Sequence, residues 1–152
     1  MAEPGDLRDG VFVIVRSLNS ILLVRHNYGE GLWSLPGGGV KQGEVVIDAA
    51  RRELREETSI EEVATLKQIG IFTLIKRYGL VVLFEAIGWD GYPTADSKEI
   101  AECGFFTLQD LGTNKAQIYP AQLKMISIFL KYGHREEPVY GKLTNPPIIE
   151  LE

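Results

Sequence analysis

The chain has 152 residues and a mass of 17.0 kDa, enough for one domain with a real core. Its 45% hydrophobic and 24% charged residues suit a globular protein, and 21 acids against 16 bases leave a net charge of −5. That sign argues against nucleic-acid polymers and anionic membranes as partners. Cys103 stands alone, which excludes an intrachain disulfide and points to a reducing, cytoplasmic setting. With only His26 and His134 beside it, no usual zinc site can form.

The segment Met1 to Gly10 lacks a signal-peptide core, and no apolar stretch approaches a membrane span. Val11 to Val15 is continuous and β-branched, which predicts a buried strand. A turn over Ser17 to Ser20 and a second strand over Ile21 to Val24 make the pair read as a hairpin. A loop rich in Gly, Asn and Tyr follows, and Pro36-Gly37-Gly38-Gly39 argues against any regular element there. Val45 to about Glu57 reads as a helix. Val63 to Leu74 and Leu80 to Ile87 read as strands around a turn at Lys76-Arg77-Tyr78-Gly79.

Phe105 to Thr107 predicts a short strand and Gln109 to Leu111 a brief helical turn. A second helix is expected over Pro120 to Tyr132, with Pro120 in its first turn. Leu123, Ile126, Ile128, Phe129 and Leu130 form its inward face. From Gly133 onward, Pro138, Pro146 and Pro147 leave an extended tail and a disordered one equally open. Several strands and two helices without regular alternation predict a single α/β (α+β) domain over residues 1–152. Its mixed sheet carries helices on its faces.

The acid excess is concentrated. Residues 44 to 62 hold seven acids (Glu44, Asp48, Glu53, Glu56, Glu57, Glu61 and Glu62) against Arg51, Arg52 and Arg55, and so carry four of the five net charges. Stepping 100° per residue from Val46 puts Ala50, Leu54 and Ile47 in one buried stripe. Glu57 falls inside that stripe, and Glu53 and Glu56 run along its edge. Like charges at these spacings repel. The C-terminal end of the helix dipole disfavours anions, and burial adds a desolvation cost. A charge run usually marks a solvated face, but Glu57 falls among the apolar positions, and three opposed effects on one face point to a cation that the sequence itself does not supply. Carboxylate oxygens without Cys or His suit a hard ion, Mg²⁺ or Mn²⁺. The preceding glycines let backbone groups approach an ion or a phosphate, although a plain turn would also explain them. They form neither a P-loop nor a dinucleotide fingerprint, and the remote Gly141-Lys142 is followed by Leu143.

Loop and helix together resemble a known signature. From Gly38 the chain reads Gly, five residues, Glu44, seven residues, Arg52-Glu53-Leu54, one residue, Glu56-Glu57, one residue, Ser59-Ile60. This resembles the Nudix box of MutT-like hydrolases, which act on nucleoside diphosphates linked to another group. The flank from Gly31 to Gly38 is similar to what commonly precedes the box. One position departs: the family has Gly where this chain has Ser59. That site ends the helix at positive φ, so Ser59 should strain the cap by about 1 kcal/mol.

The resemblance implies the Nudix-type α/β/α sandwich. It also implies that Glu53, Glu56 and Glu57, with the Gly37 backbone carbonyl, hold Mg²⁺ or Mn²⁺. Glu53 and Arg52 would be the catalytic pair, one helping to deprotonate water and the other orienting the carboxylates. Glu44 would support the junction of loop and helix. Glu99 and Glu102 are further candidates for the base, with surface carboxylate as the plain alternative.

The implied substrate is a small nucleotide or nucleoside diphosphate derivative, a nucleoside triphosphate or an oxidised one by default. Trp33, Phe72, Tyr78 and Phe84 are candidates to stack on a base, or are simply packing residues. Arg25, His26, Lys76 and Arg77 are candidates to meet phosphates, or are surface cations. Tyr78 lies roughly where dinucleoside polyphosphate hydrolases of the family carry a tyrosine. The proline usual in ADP-ribose-type members is not evident. Two other readings stand beside hydrolysis. One is a non-catalytic Nudix-fold sensor or partner-binding module, which a degenerate box would favour. The other is an isoprenoid diphosphate isomerase, for which Cys103 is an unpersuasive active-site cysteine. Exchange of the N-terminal strand or the tail would allow a homodimer.

Overall fold

A computed structural model describes residues 9–75, 79–113, 117–144 and 147–152. Along the chain these form β1 (Gly10–Ile14), β2 (Arg16–Ser17), β3 (Ser20–His26), β4 (Trp33–Ser34), β5 (Gly37–Gly39), α1 (Val46–Thr58), β6 (Glu62–Leu74) and β7 (Leu80–Asp90). They continue with β8 (Ile100–Thr107), α2 (Leu108–Gly112), α3 (Pro120–Tyr132), β9 (Val139–Leu143) and β10 (Ile149–Leu151). A mixed six-stranded sheet runs β10-β9-β6-β7-β1-β5, and a second sheet is built around β3, which pairs with β2, β4 and β8. Among the described residues no helix is long and apolar enough to cross a membrane.

Strand β1 explains the layering. Val11 and Val13, with Val15 just beyond them, pack with Ala49, Ala50 and Leu54 of α1, while Ile14 packs with Met125, Ile126 and Phe129 of α3. Alternate side chains of one strand thus feed two cores. The helices close the two faces, giving the expected α/β/α sandwich with a mixed central sheet.

The predicted hairpin is corrected. Only Arg16 and Ser17 pair with Ile21 and Ser20; β1 itself runs parallel to β7 and antiparallel to β5. A run of β-branched residues buried on both faces suits a central position with a parallel neighbour, so the chain leaves one sheet and enters the other near Val15. The glycine run is corrected too. Gly37–Gly39 is an edge strand, with Gly38 opposite Val11 and Gly39 opposite Gly10. The glycines serve close approach: a Cβ on Gly38 would lie 2.6 Å from Glu53 Oε1, and one on Gly37 would overlap the Val11 carbonyl oxygen.

The helices lie within one residue of their expected bounds, but their buried faces shift. On α1, Ile47 is exposed and Ala49 is buried, because the stripe centres on Glu57 and Ala50 rather than on Ile47. On α3 the buried residues are Gln122, Met125, Ile126 and Phe129, whereas Leu123 and Leu130 are exposed. Counting apolar residues overlooks that Gln122 can be buried if its amide is bonded. Strand β8 is longer than its Phe105-Phe106-Thr107 core and follows β3 from Ile100 to Thr107.

The C-terminal stretch forms two strands, β9 parallel to β6 and β10 antiparallel to β9. Val139, Gly141 and Leu143 alternate inward along β9.

Candidate active site

Helix α1 carries the site, and its ends are held by unlike devices. Val45, the N-cap, makes no side-chain cap bond. Glu44 instead closes a short turn, its carboxylate and its amide both bonded to the backbone of Lys41 at 3.0 Å. At the other end Ser59 adopts φ 66°, and its amide donates to the Arg55 carbonyl at 2.9 Å. Its hydroxyl donates to the Thr94 carbonyl at 3.2 Å, and the Thr94 amide donates to the Thr58 carbonyl at 2.9 Å. The segment ahead of β8 is thereby tied to the end of α1.

Arg52 sits at the centre of a charge network. Its Nε and Nη2 donate to the two oxygens of Glu44 at 2.8 and 3.1 Å. Nη1 donates to Glu53 at 3.0 Å and to Glu56 at 3.2 Å, and Nη2 also reaches the Gly39 carbonyl at 3.0 Å. The guanidinium fork uses this planar set of donors to hold loop, strand and helix at once. The Arg52 bonds, with help from the Lys41 amide, hold the Glu44 carboxyl down at about 2.

Glu53 and Glu57 behave in the opposite way. Glu57 is 3% exposed. Its Oε1 accepts from the Gly37 amide at 2.7 Å and its Oε2 meets His26 Nε2 at 3.1 Å. Burial pushes its carboxyl upward, and the two donors offset only part of that. Burial, then the charge of Glu57, lifts Glu53 to about 7, against the pull of Arg52. Two glutamates on successive turns, one buried and one partly so, therefore have carboxyls held above the ordinary glutamate range despite the donors around them.

The predicted residues thus divide. Arg52, Glu53 and Glu57 converge beside β5; Glu56 is bonded to Arg52 yet half exposed. Gly37 meets Glu57 through its amide. Among the described residues no three Asp, Glu, His or Cys groups cage an ion, so the protein offers a partial shell of oxygen donors. Such a shell suits a hard divalent cation that keeps waters and takes further ligands from a substrate.

Around it, Glu99 lies near enough to raise the pKa of His26, after the Glu57 hydrogen bond that is its largest cause. Its backbone carbonyl accepts from the Asn27 amide at 2.9 Å. Glu102 is ion-paired with Arg25 at 2.7 Å. Phe72 and Phe84 are 0% and 1% exposed in the core, which removes them as stacking platforms. Trp33 packs edge-on against Phe106. Lys76, Arg77 and Tyr78 lie outside the described residues.

His26, expected to meet a phosphate or to be a surface cation, instead faces Glu57, a pairing that sequence reasoning missed. It stands 31 residues from Glu57, and the register shift between Arg25 and His26 in the pairing with β8 is what a bulge uses to re-aim a side chain. No local pattern announces such a shift.

The family model described as the NUDIX domain matches residues 6–128. An RNA pyrophosphohydrolase of Bartonella clarridgeiae is 62% identical over 37 residues, 24% of this chain and 21% of that protein. An ADP-ribose pyrophosphatase of Methanocaldococcus jannaschii is 36% identical over 107 residues, 64% of this chain and 60% of that protein. The chain thus covers less than two thirds of either relative. A NUDIX hydrolase structure from Nitrosomonas europaea superposes with a TM-score of 0.72 at 21% identity, covering 90% of this chain and 78% of that one.

Proposed function

The chain belongs to the NUDIX family, and on that premise we propose that it hydrolyses a diphosphate linkage in a nucleotide derivative with the help of Mg²⁺ or Mn²⁺. The observation that carries this reading is the pair Glu53 and Glu57 on successive turns of α1, the second buried and the first partly so, with both carboxyls raised by burial. A fold that only needed stability would place apolar residues there.

In this reading Glu53, Glu56 and Glu57 hold the cation, with the Gly37 backbone beside them. A bound divalent ion supplies charge to offset the diphosphate and lowers the pKa of water. Glu53, as a carboxylate, accepts a proton from the attacking water. Arg52 keeps Glu53 and Glu56 oriented from within its own network. Glu99 stands by as an alternative proton acceptor, since Glu102 is engaged by Arg25. The water oxygen bonds to one phosphorus as the bridging phosphorus–oxygen bond breaks, and the bridging oxygen leaves with the departing nucleotide or phosphorylated product.

For the substrate, the small size of the domain favours a nucleoside triphosphate or a modified nucleotide. The relatives' names, RNA pyrophosphohydrolase and ADP-ribose pyrophosphatase, widen the set to ADP-ribose and to RNA. The acidic charge argues against gripping a long polymer, though not against cleaving its phosphorylated end.

The test is a panel of nucleoside triphosphates, oxidised ones included, with ADP-ribose, nucleotide sugars, dinucleoside polyphosphates, coenzyme A and a 5′-triphosphorylated RNA. Each is offered with Mg²⁺ and with Mn²⁺, and products are identified by mass. Cleavage within a diphosphate is expected for at least one class. Cation binding with no turnover on any of them would favour a non-catalytic sensor.

A further inference from the structure

We propose that His26 is a positioning residue that presets Glu57 for its cation, an inference that rests on the metal reading above. Glu57 leaves α1 into a buried setting, where the direction of its carboxylate depends on the groups it can bond. Two donors from outside the helix set that direction. The Gly37 amide of β5 takes one carboxylate oxygen at 2.7 Å, and His26 of β3 takes the other at 3.1 Å. An ionised carboxylate only accepts hydrogen bonds, so in that state the His26 nitrogen facing it carries the proton.

Each carboxylate oxygen has about two acceptor sites. One donor on each oxygen leaves one site on each, so His26 and a cation can share Glu57 instead of competing for it. The imidazole itself is held. Its ring lies 5.0 Å from that of Tyr28, and it follows directly on a register shift at Arg25/His26 in the pairing with β8. The amide and the carbonyl on either side of this loop are engaged as well, since the Asn27 amide donates to the Glu99 carbonyl at 2.9 Å. His26 thus acts on the cation through Glu57, as outer-shell partners fix a ligand's orientation.

The experiment measures Mn²⁺ binding to the full chain without substrate, counting free Mn²⁺ by its electron paramagnetic resonance signal. His26→Ala should weaken Mn²⁺ binding by about 10- to 100-fold. His26→Gln, which keeps an N–H donor at similar reach, should stay within a few-fold of wild type. A role in folding alone would lower the melting temperature of both variants without separating their affinities.

A second measurement needs no variant. In ¹⁵N-labelled wild-type protein the imidazole N–H bonded to Glu57 should give a protected proton signal that persists, shifted, when Mg²⁺ is added. Equal affinity of His26→Ala and wild type overturns the proposal, as does equal weakness of the Gln and Ala variants, or loss of the protected signal on Mg²⁺ addition. Wild-type protein that binds neither ion overturns the metal reading itself, so the two failures are distinguishable.

Discussion

Helices α1 and α3 each have thirteen residues and each lie on one face of the six-stranded sheet, yet they bury polar groups in opposite ways. On α3 the buried polar residue is Gln122, a neutral amide whose oxygen accepts from the Leu35 amide at 3.3 Å. It satisfies a backbone group and carries no charge. On α1 Thr58 is likewise buried and bonded, through the Leu54 carbonyl, but beside it lies Glu57, with Glu53 one turn earlier, and the two carboxyls remain raised despite the donors around them. A buried polar group that is neutral and bonded is structural, whereas buried charges left short of counter-charge mark a place where something else binds. Arg52 sharpens the contrast between α1 and the loop ahead of it, holding Glu44 down to about 2 while Glu53 stays at about 7.

The strongest way to break this comparison is Glu53→Gln. Turnover on the best substrate should fall by about 10²- to 10⁴-fold, measured as kcat, while the fold survives in circular dichroism and thermal melting. Near-normal turnover would return Glu53 to the status of a charged edge residue.

Next in size is a pH effect on the metal-free protein. An unfolded glutamate titrates near 4.5, whereas Glu53 in the fold holds its proton to about 7. The folded state binds more protons in that window, so stability is full below 4.5 and is lost as pH rises through 7. The difference in unfolding free energy between wild type and Glu53→Gln should shrink by about 3 kcal/mol between these pH values. Urea titrations at several pH values read it directly, and saturating Mg²⁺ should abolish the trend. A flat difference would mean Glu53 is solvated after all.

Gln122→Leu tests the other helix. It should cost about 1–2 kcal/mol by leaving the Leu35 amide unpaired, with no change in Mn²⁺ affinity. A loss of cation binding there would erase the distinction between the two helices. Smallest is the cap of α1. Ser59→Gly should be more stable than Ser59→Ala by about 1 kcal/mol. Both lose the bond to Thr94, but only Gly relieves the positive φ. Equal melting temperatures would show that the cap carries no strain.

Much of this was legible without a structure. The span of α1, the inward turn of Glu57 and the crowding of three glutamates follow from a period of 3.6 residues, which is local. The departure at Ser59 was readable for the same reason, since a helix end needs its own backbone geometry whatever packs around it. Strand partners were not readable. Val11 to Val15 pairs with segments about 25 and 70 residues away, so the short hairpin suggested by adjacency lost to a central parallel position. The glycine run became a strand because β1 offered an edge, and its lack of side chains admitted Glu53 beside Gly38.

The sequence by itself determined which side chains gather on one helix face: three glutamates with an arginine among them and no cysteine nearby. Periodicity and residue type act at short range, so they survive without knowledge of the fold. Only the tertiary structure decided which of those carboxylates are buried, that Arg52 spends most of its donors on Glu44 and Gly39, and that His26 reaches Glu57. Those outcomes depend on contacts between elements far apart in the chain, whose desolvation and hydrogen bonds exist only once the sheets have paired and the helix has settled on them.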